Sequence, residues 1–144
     1  MTYNERDFWD SRYASGGTSG AGSYGAEGMW KLHQIALATV GRGITSILDL
    51  GVGDGSMCAQ VAGMYPLAEY VGVDVSAEGV ALAKPRVPVH VDLRVGDITR
   101  DSLPSADLVL CLDVLFHLGS DEAHERAIAT ICQRAQTPQC LGRL

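Results

Sequence analysis

Apolar residues along the chain alternate between short continuous runs and stripes at three- and four-residue spacing, and that alternation predicts an architecture. Four runs, Ile44 to Leu50, Tyr70 to Val75, Val89 to Val95 and Asp107 to Leu112, read as buried strands. Between them, Ser56 to Tyr65 and Ala77 to Lys84 read as helices, the second capped by Ser76 and stopped by Pro85 and Pro88. Ahead of the first run, Trp30, His33, Leu37 and Val40 mark a helix stripe, widened by Leu32, Ile35 and Ala36 and ended by Gly41 and Gly43. A last helix starts at a Ser120 cap, carries Asp121 and Glu122 in its first turn, and presents Ala123, Ala127, Ile128, Ile131 and Ala135 as its apolar face. Strands alternating with helices imply an α/β fold, a parallel sheet with helices on both faces. Before Met29 the periodicity vanishes: Ser15 to Gly28 is rich in Gly, Ser and Ala and is expected to form a mobile loop. Neither an internal repeat nor a second domain is visible.

Composition narrows the class. A chain of 144 residues suits one domain that buries about two-thirds of its unfolded surface and needs no disulfide framework. Cys58, Cys111, Cys132 and Cys140 show no C-x-x-C spacing, so reduced thiols and a cytoplasmic protein are expected. The amino terminus lacks the basic and apolar regions of a secretory signal, and no apolar run approaches the roughly 18 residues of a membrane span. Seventeen acidic against eleven basic residues give a net charge of −6, which repels phosphate backbones and favours a small-molecule partner over nucleic acid.

The stretch richest in chemistry is Ile47-Leu48-Asp49-Leu50-Gly51-Val52-Gly53-Asp54-Gly55, an apolar strand that ends in an acidic residue and alternate glycines. Such a loop lies at the carboxyl end of a parallel strand, where open α/β sheets bind ligands, and its glycines let backbone approach a ligand closely. A phosphate-binding P-loop is excluded because Ser56-Met57 follows Gly55 where Lys and Ser or Thr are required. A dinucleotide fingerprint would place its third glycine at Ser56, which leaves an NAD(P)-dependent oxidoreductase only as a relaxed match.

The pattern Asp49-x-Gly51-x-Gly53-x-Gly55 resembles motif I of the class I S-adenosylmethionine (SAM) dependent methyltransferases, and three further segments extend the resemblance in order. Val71-Gly72-Val73-Asp74-Val75-Ser76 is similar to the ribose-binding strand end, where a carboxylate accepts from both ribose hydroxyls. Val95-Gly96-Asp97-Ile98 is similar to the adenine site, with Asp97 facing the exocyclic amine and the Ile98 N–H the ring. The run from Asp107 through Leu112, Asp113 and His117 to Leu118 is similar to motif IV, whose strand end faces the methionine part and the acceptor.

The resemblance implies SAM as cofactor, bound by Asp49, Gly51, Gly53, Gly55, Asp74, Val75, Asp97, Ile98, Leu112 and Asp113, and methyl transfer to a small-molecule acceptor. It also implies His117 as general base with Asp113 beside it, and no metal, since Phe116 interrupts the Glu and His set that some relatives carry. Phe8-Trp9-Asp10-x-x-Tyr13 and the glycine-rich stretch after it resemble the lid-like region of some bacterial methyltransferases. The implied fold is Rossmann-like and doubly wound, with strands 3-2-1-4 of a seven-stranded sheet. The expected organisation is a flexible lid segment over 1–28, an incomplete SAM-binding domain over 29–135 and a tail over 136–144. With the fourth strand an open apolar edge, self-association or a non-catalytic SAM-binding module is the alternative expectation.

Overall fold

The computed structural model describes residues 3–136. Four strands, β1 (Ser46–Leu50), β2 (Glu69–Asp74), β3 (Val91–Val95) and β4 (Leu108–Leu110), form one parallel sheet in the order β3-β2-β1-β4. Five helices surround it: α1 (Glu5–Ala14), α2 (Gly25–Thr39), α3 (Ser56–Met64), α4 (Ala77–Ala83) and α5 (Asp121–Arg134). This is the doubly wound arrangement expected from the alternation of runs and stripes. Strand side chains point to opposite faces in turn, which splits the core in two. Ile47, Tyr70, Leu108 and Leu110 pack with Leu32 and Ile35 of α2 and Val61 of α3, while Leu48, Leu50, Val73 and Val109 pack with Ala127 and Ile131 of α5.

Helix starts follow their caps. Ser76 accepts from the Gly79 N–H at 3.0 Å and Ser120 from the Ala123 N–H at 3.2 Å, as the sequence predicts. The structure buries Leu32 and Ile35 from the flank of the stripe expected for α2 and turns its leading residues outward. Gly28, Lys31, Leu32, Ile35 and Thr39 are buried, whereas Trp30 is 52% exposed, Leu37 57% and Val40 78%. Beside Leu32 and Ile35, the buried face carries Gly28, Lys31 and Thr39, the lysine and the threonine through polar partners. The Thr39 hydroxyl donates to the Ile35 carbonyl at 2.7 Å and bonds the Tyr65 hydroxyl. Leu37→Ser is therefore expected to change stability by no more than about 0.5 kcal/mol, and Ile35→Ala, fully buried, to cost about 2–5 kcal/mol in urea denaturation.

The segment before Met29 also differs from the aperiodic expectation. Asn4 caps α1 by accepting from the Asp7 N–H at 3.2 Å, a short 3-10 turn spans Ala21–Ser23, and α2 starts at Gly25. At the other end, the Ala106 N–H donates to the Arg134 carbonyl and the Gln136 N–H to the Ala106 carbonyl, both at 2.9 Å. The chain leaving α5 thus lies beside the start of β4, and the edge expected to be open is partly covered there. The expected tail falls almost wholly outside the described residues, as does Cys140. No helix among the described residues is long and apolar enough to cross a membrane.

Candidate functional site

The carboxyl ends of all four strands open into one cavity of about 330 Å³, within the size range of small-molecule sites. Its floor is the glycine loop. The N–H groups of Gly51 and Val52 both donate to the Val73 carbonyl, at 2.7 and 3.2 Å, which fastens the loop to β2. The Gly53 N–H then donates to Asp74 Oδ2 at 2.7 Å, and the Ser76 N–H to Oδ1 at 2.9 Å. Each oxygen of this buried carboxylate thus receives one backbone donor and keeps lone-pair capacity toward the cavity. Burial pushes the Asp74 carboxyl above its ordinary range, and the two backbone bonds oppose that rise.

Asp49 lies beneath the loop, 3% exposed, accepting from the Tyr70 hydroxyl at 2.8 Å. Burial pushes its carboxyl up to about 6; Tyr70 and Cys58 lower it, and the Asp74 charge raises it. Gly53 has φ 55, and a Cβ there would come within 2.8 Å of the Tyr13 hydroxyl. Gly55 stands apart from the other loop glycines. It does not line the cavity; its φ of 81 starts α3, and its bare Cα admits Ala83 of α4, which a Cβ would meet at 2.7 Å.

On the β3 side, Asp97 Oδ1 accepts from the Thr99 N–H at 2.8 Å and the Thr99 hydroxyl at 2.6 Å, while Asp101 accepts from the Asp97 N–H at 2.7 Å. Asp97 thereby shapes its own turn while Gly96, Asp97 and Ile98 all face the cavity. On the β4 side, Leu112, Asp113 and His117 form the wall, with Val75 across from them beside Asp74. Asp113 has φ 58 and bonds Lys31. The His117 ring meets Trp9 edge-on at 4.9 Å. Desolvation lowers the His117 pKa, Asp113 opposing and Arg12 reinforcing the fall, which keeps the imidazole neutral and able to accept a proton. Among the described residues, no three His, Cys, Asp or Glu side chains come together as a metal-binding group.

Several bonds at the site join residues far apart in sequence. Asp54, one of the intervening positions of the glycine motif, is 1% exposed and accepts from the Ser19 N–H at 3.0 Å and the Tyr24 hydroxyl at 2.5 Å. Asp10 of α1 accepts from the Ser76 hydroxyl at 2.5 Å, and Glu5 from the Gly119 N–H at 2.7 Å. Tyr13, 5% exposed, wedges between Gly53 and Gly79. The amino-terminal segment is therefore fastened over the cavity at β1, β2 and β4. Trp9 and Tyr13 of the lid-like motif stack at 5.6 Å, one helical turn apart, while Asp54, a carboxylate next to Gly53, was the cue for the bonds to Ser19 and Tyr24.

Comparison with known proteins places this geometry. Residues 47–137 match the family described as a methyltransferase domain. A ubiquinone/menaquinone biosynthesis C-methyltransferase from Syntrophotalea carbinolica is 35% identical over 88 residues, covering 58% of this chain and 35% of the relative. The chain thus spans about a third of that relative's length. Among solved structures, the N-methyltransferase NodS from Bradyrhizobium japonicum, in complex with S-adenosyl-L-homocysteine (SAH), superposes with a TM-score of 0.76 at 17% identity, covering 92% of this chain and 68% of NodS. Magnesium protoporphyrin IX methyltransferase from Synechocystis, with bound SAH, gives 0.67 at 21% identity, covering 91% and 66%. The matched span includes the glycine loop and every later strand of the sheet, and the strand order is that of the fold; the chain belongs to the class I SAM-dependent methyltransferase family.

Proposed function

We propose that the chain binds SAM in this cavity and transfers its methyl group to a small-molecule acceptor. The observation that carries the reading is the placement of Asp74: a buried carboxylate anchored by the glycine loop, with unused acceptor capacity facing the cavity. In this reading Asp74 accepts from the ribose hydroxyls, Gly96 to Ile98 face the adenine, and Asp49, Leu112 and Asp113 border the methionine end. When bound, SAM supplies a methyl group made electrophilic by its sulfonium charge. The chain's own contribution is largely positional. Near-attack orientation is worth about 7–11 kcal/mol in favourable cases, and α1 over the cavity excludes water from the reacting groups. His117, neutral and beside Asp113, takes the proton of an acceptor that must lose one.

A small-molecule acceptor is supported by the net charge of −6 and by the relatives, one named for magnesium protoporphyrin IX and one for ubiquinone/menaquinone biosynthesis. Conversion of SAM to SAH in the presence of a panel of metabolite acceptors tests the activity, and SAM left unconsumed with every acceptor would count against it. For an acceptor that releases a proton, His117→Ala is expected to lower kcat about 100-fold with little change in SAH affinity. The wild-type rate should fall only below the ordinary imidazole pKa, since protonation of His117 is disfavoured, and that fall should vanish in the variant.

A further inference from the structure

Lys31 is a lysine with a side chain only 7% exposed, in a helix face that otherwise packs on the sheet. A buried ammonium is costly unless it is paired and hydrogen-bonded. This one has two partners, one in the amino-terminal segment and one in the loop after β4. It donates to the Gly22 carbonyl at 2.8 Å, in the 3-10 turn of the amino-terminal segment, and to the Asp113 carboxylate, in the loop after β4. Neither partner tolerates much change. A Cβ on Gly22 would come within 2.8 Å of the Lys31 ammonium and would collide with the Asp113 carboxylate. Asp113 is the one non-glycine residue with positive φ among those described, and Lys31 pairs with the carboxylate of that strained residue. The loop continues from Asp113 into the turn that carries His117, whose N–H donates to the Val114 carbonyl at 2.9 Å.

We propose that Lys31 is a positioning residue, joining the Ala21–Ser23 turn to the Asp113–His117 loop so that both walls of the methyl-transfer end hold or release together. The inference rests on the proposed methyl-transfer site for its functional meaning, and on the three-way contact alone for its physical content. Lys31→Met keeps the apolar stem and removes both bonds. Without any ligand, hydrogen exchange should quicken about tenfold or more at the Ser23 and Tyr24 amides and equally at those of His117 and Leu118. The amides of β1 and β2 should be unchanged. Faster exchange in only one of the two segments, or in neither, would overturn the proposal.

A double variant separates positioning from charge balance. Adding Asp113→Asn to Lys31→Met removes the carboxylate left without its partner, so the melting temperature should recover while exchange in both segments stays fast. Recovery of slow exchange together with stability would show a purely structural pair. SAH titration provides the separate arm: affinity should fall about tenfold in Lys31→Met and stay low in the double variant. If the wild-type chain itself binds no SAH, the cofactor reading fails, whereas the ligand-free exchange data still decide the role of Lys31.

Discussion

Asp74→Ala is expected to weaken SAH binding about 30-fold or more, because it removes a charge-assisted acceptor worth about 2 kcal/mol or more to the ribose. The same change strips the Gly53 and Ser76 N–H groups of their acceptor, so the variant should also lose about 2–4 kcal/mol of stability. The two effects are separable by titrating SAH well below the variant's melting temperature, with the β1 and β2 amides still protected from exchange. Wild-type affinity in a folded Asp74→Ala variant would remove this carboxylate from the site.

Asp49→Asn should act in the opposite direction on stability, raising it by about 3 kcal/mol above pH 7 and hardly at all below pH 4. The buried carboxyl is pushed up to about 6 in the folded chain, against about 3.9 when unfolded. As pH rises, the unfolded chain ionises first. The contribution of this group is therefore fully present below about pH 4 and is lost as pH climbs to about 6, and a gap of about two units corresponds to about 3 kcal/mol. Asparagine keeps an acceptor for the Tyr70 hydroxyl and carries no charge. Denaturant midpoints at pH 4 and pH 7.5 measure the difference, and a pH-independent gap between the two proteins would contradict the assignment. On the proposed reading a cationic cofactor bordering Asp49 would offset the cost of its ionised form, so stability gained by Asp49→Asn should come with weaker SAM binding.

The gathering of Asp49, Asp74 and Asp97 around one cavity was legible because its geometry is local. Each lies in or just past an apolar run that reads as a parallel strand, and Asp49 alone leads into a glycine-rich turn. Parallel pairing then aligns the strand ends without further information. The lid segment was legible as a resemblance, but the bonds that fasten it were not, because their partners are remote in sequence. Lys31 breaks an apolar helix pattern, but its reason for burial is a carboxylate 82 residues away. Asp54 lies between two glycines of a motif that needs no acid at that position, and its partners Ser19 and Tyr24 lie in a stretch without periodicity. The inward face of α2 joins Leu32 and Ile35, which hydropathy predicts, to Lys31 and Thr39, whose bonds it does not, so Trp30 and Leu37 are left outside.

The proposal turns on whether the cavity floored by the glycine loop and Asp74 is a SAM site. Calorimetric titration of the 144-residue chain with SAH, and separately with NAD, tests it most directly. One-to-one binding of SAH with no heat from NAD is the predicted result; saturable binding of NAD with none of SAH would contradict it.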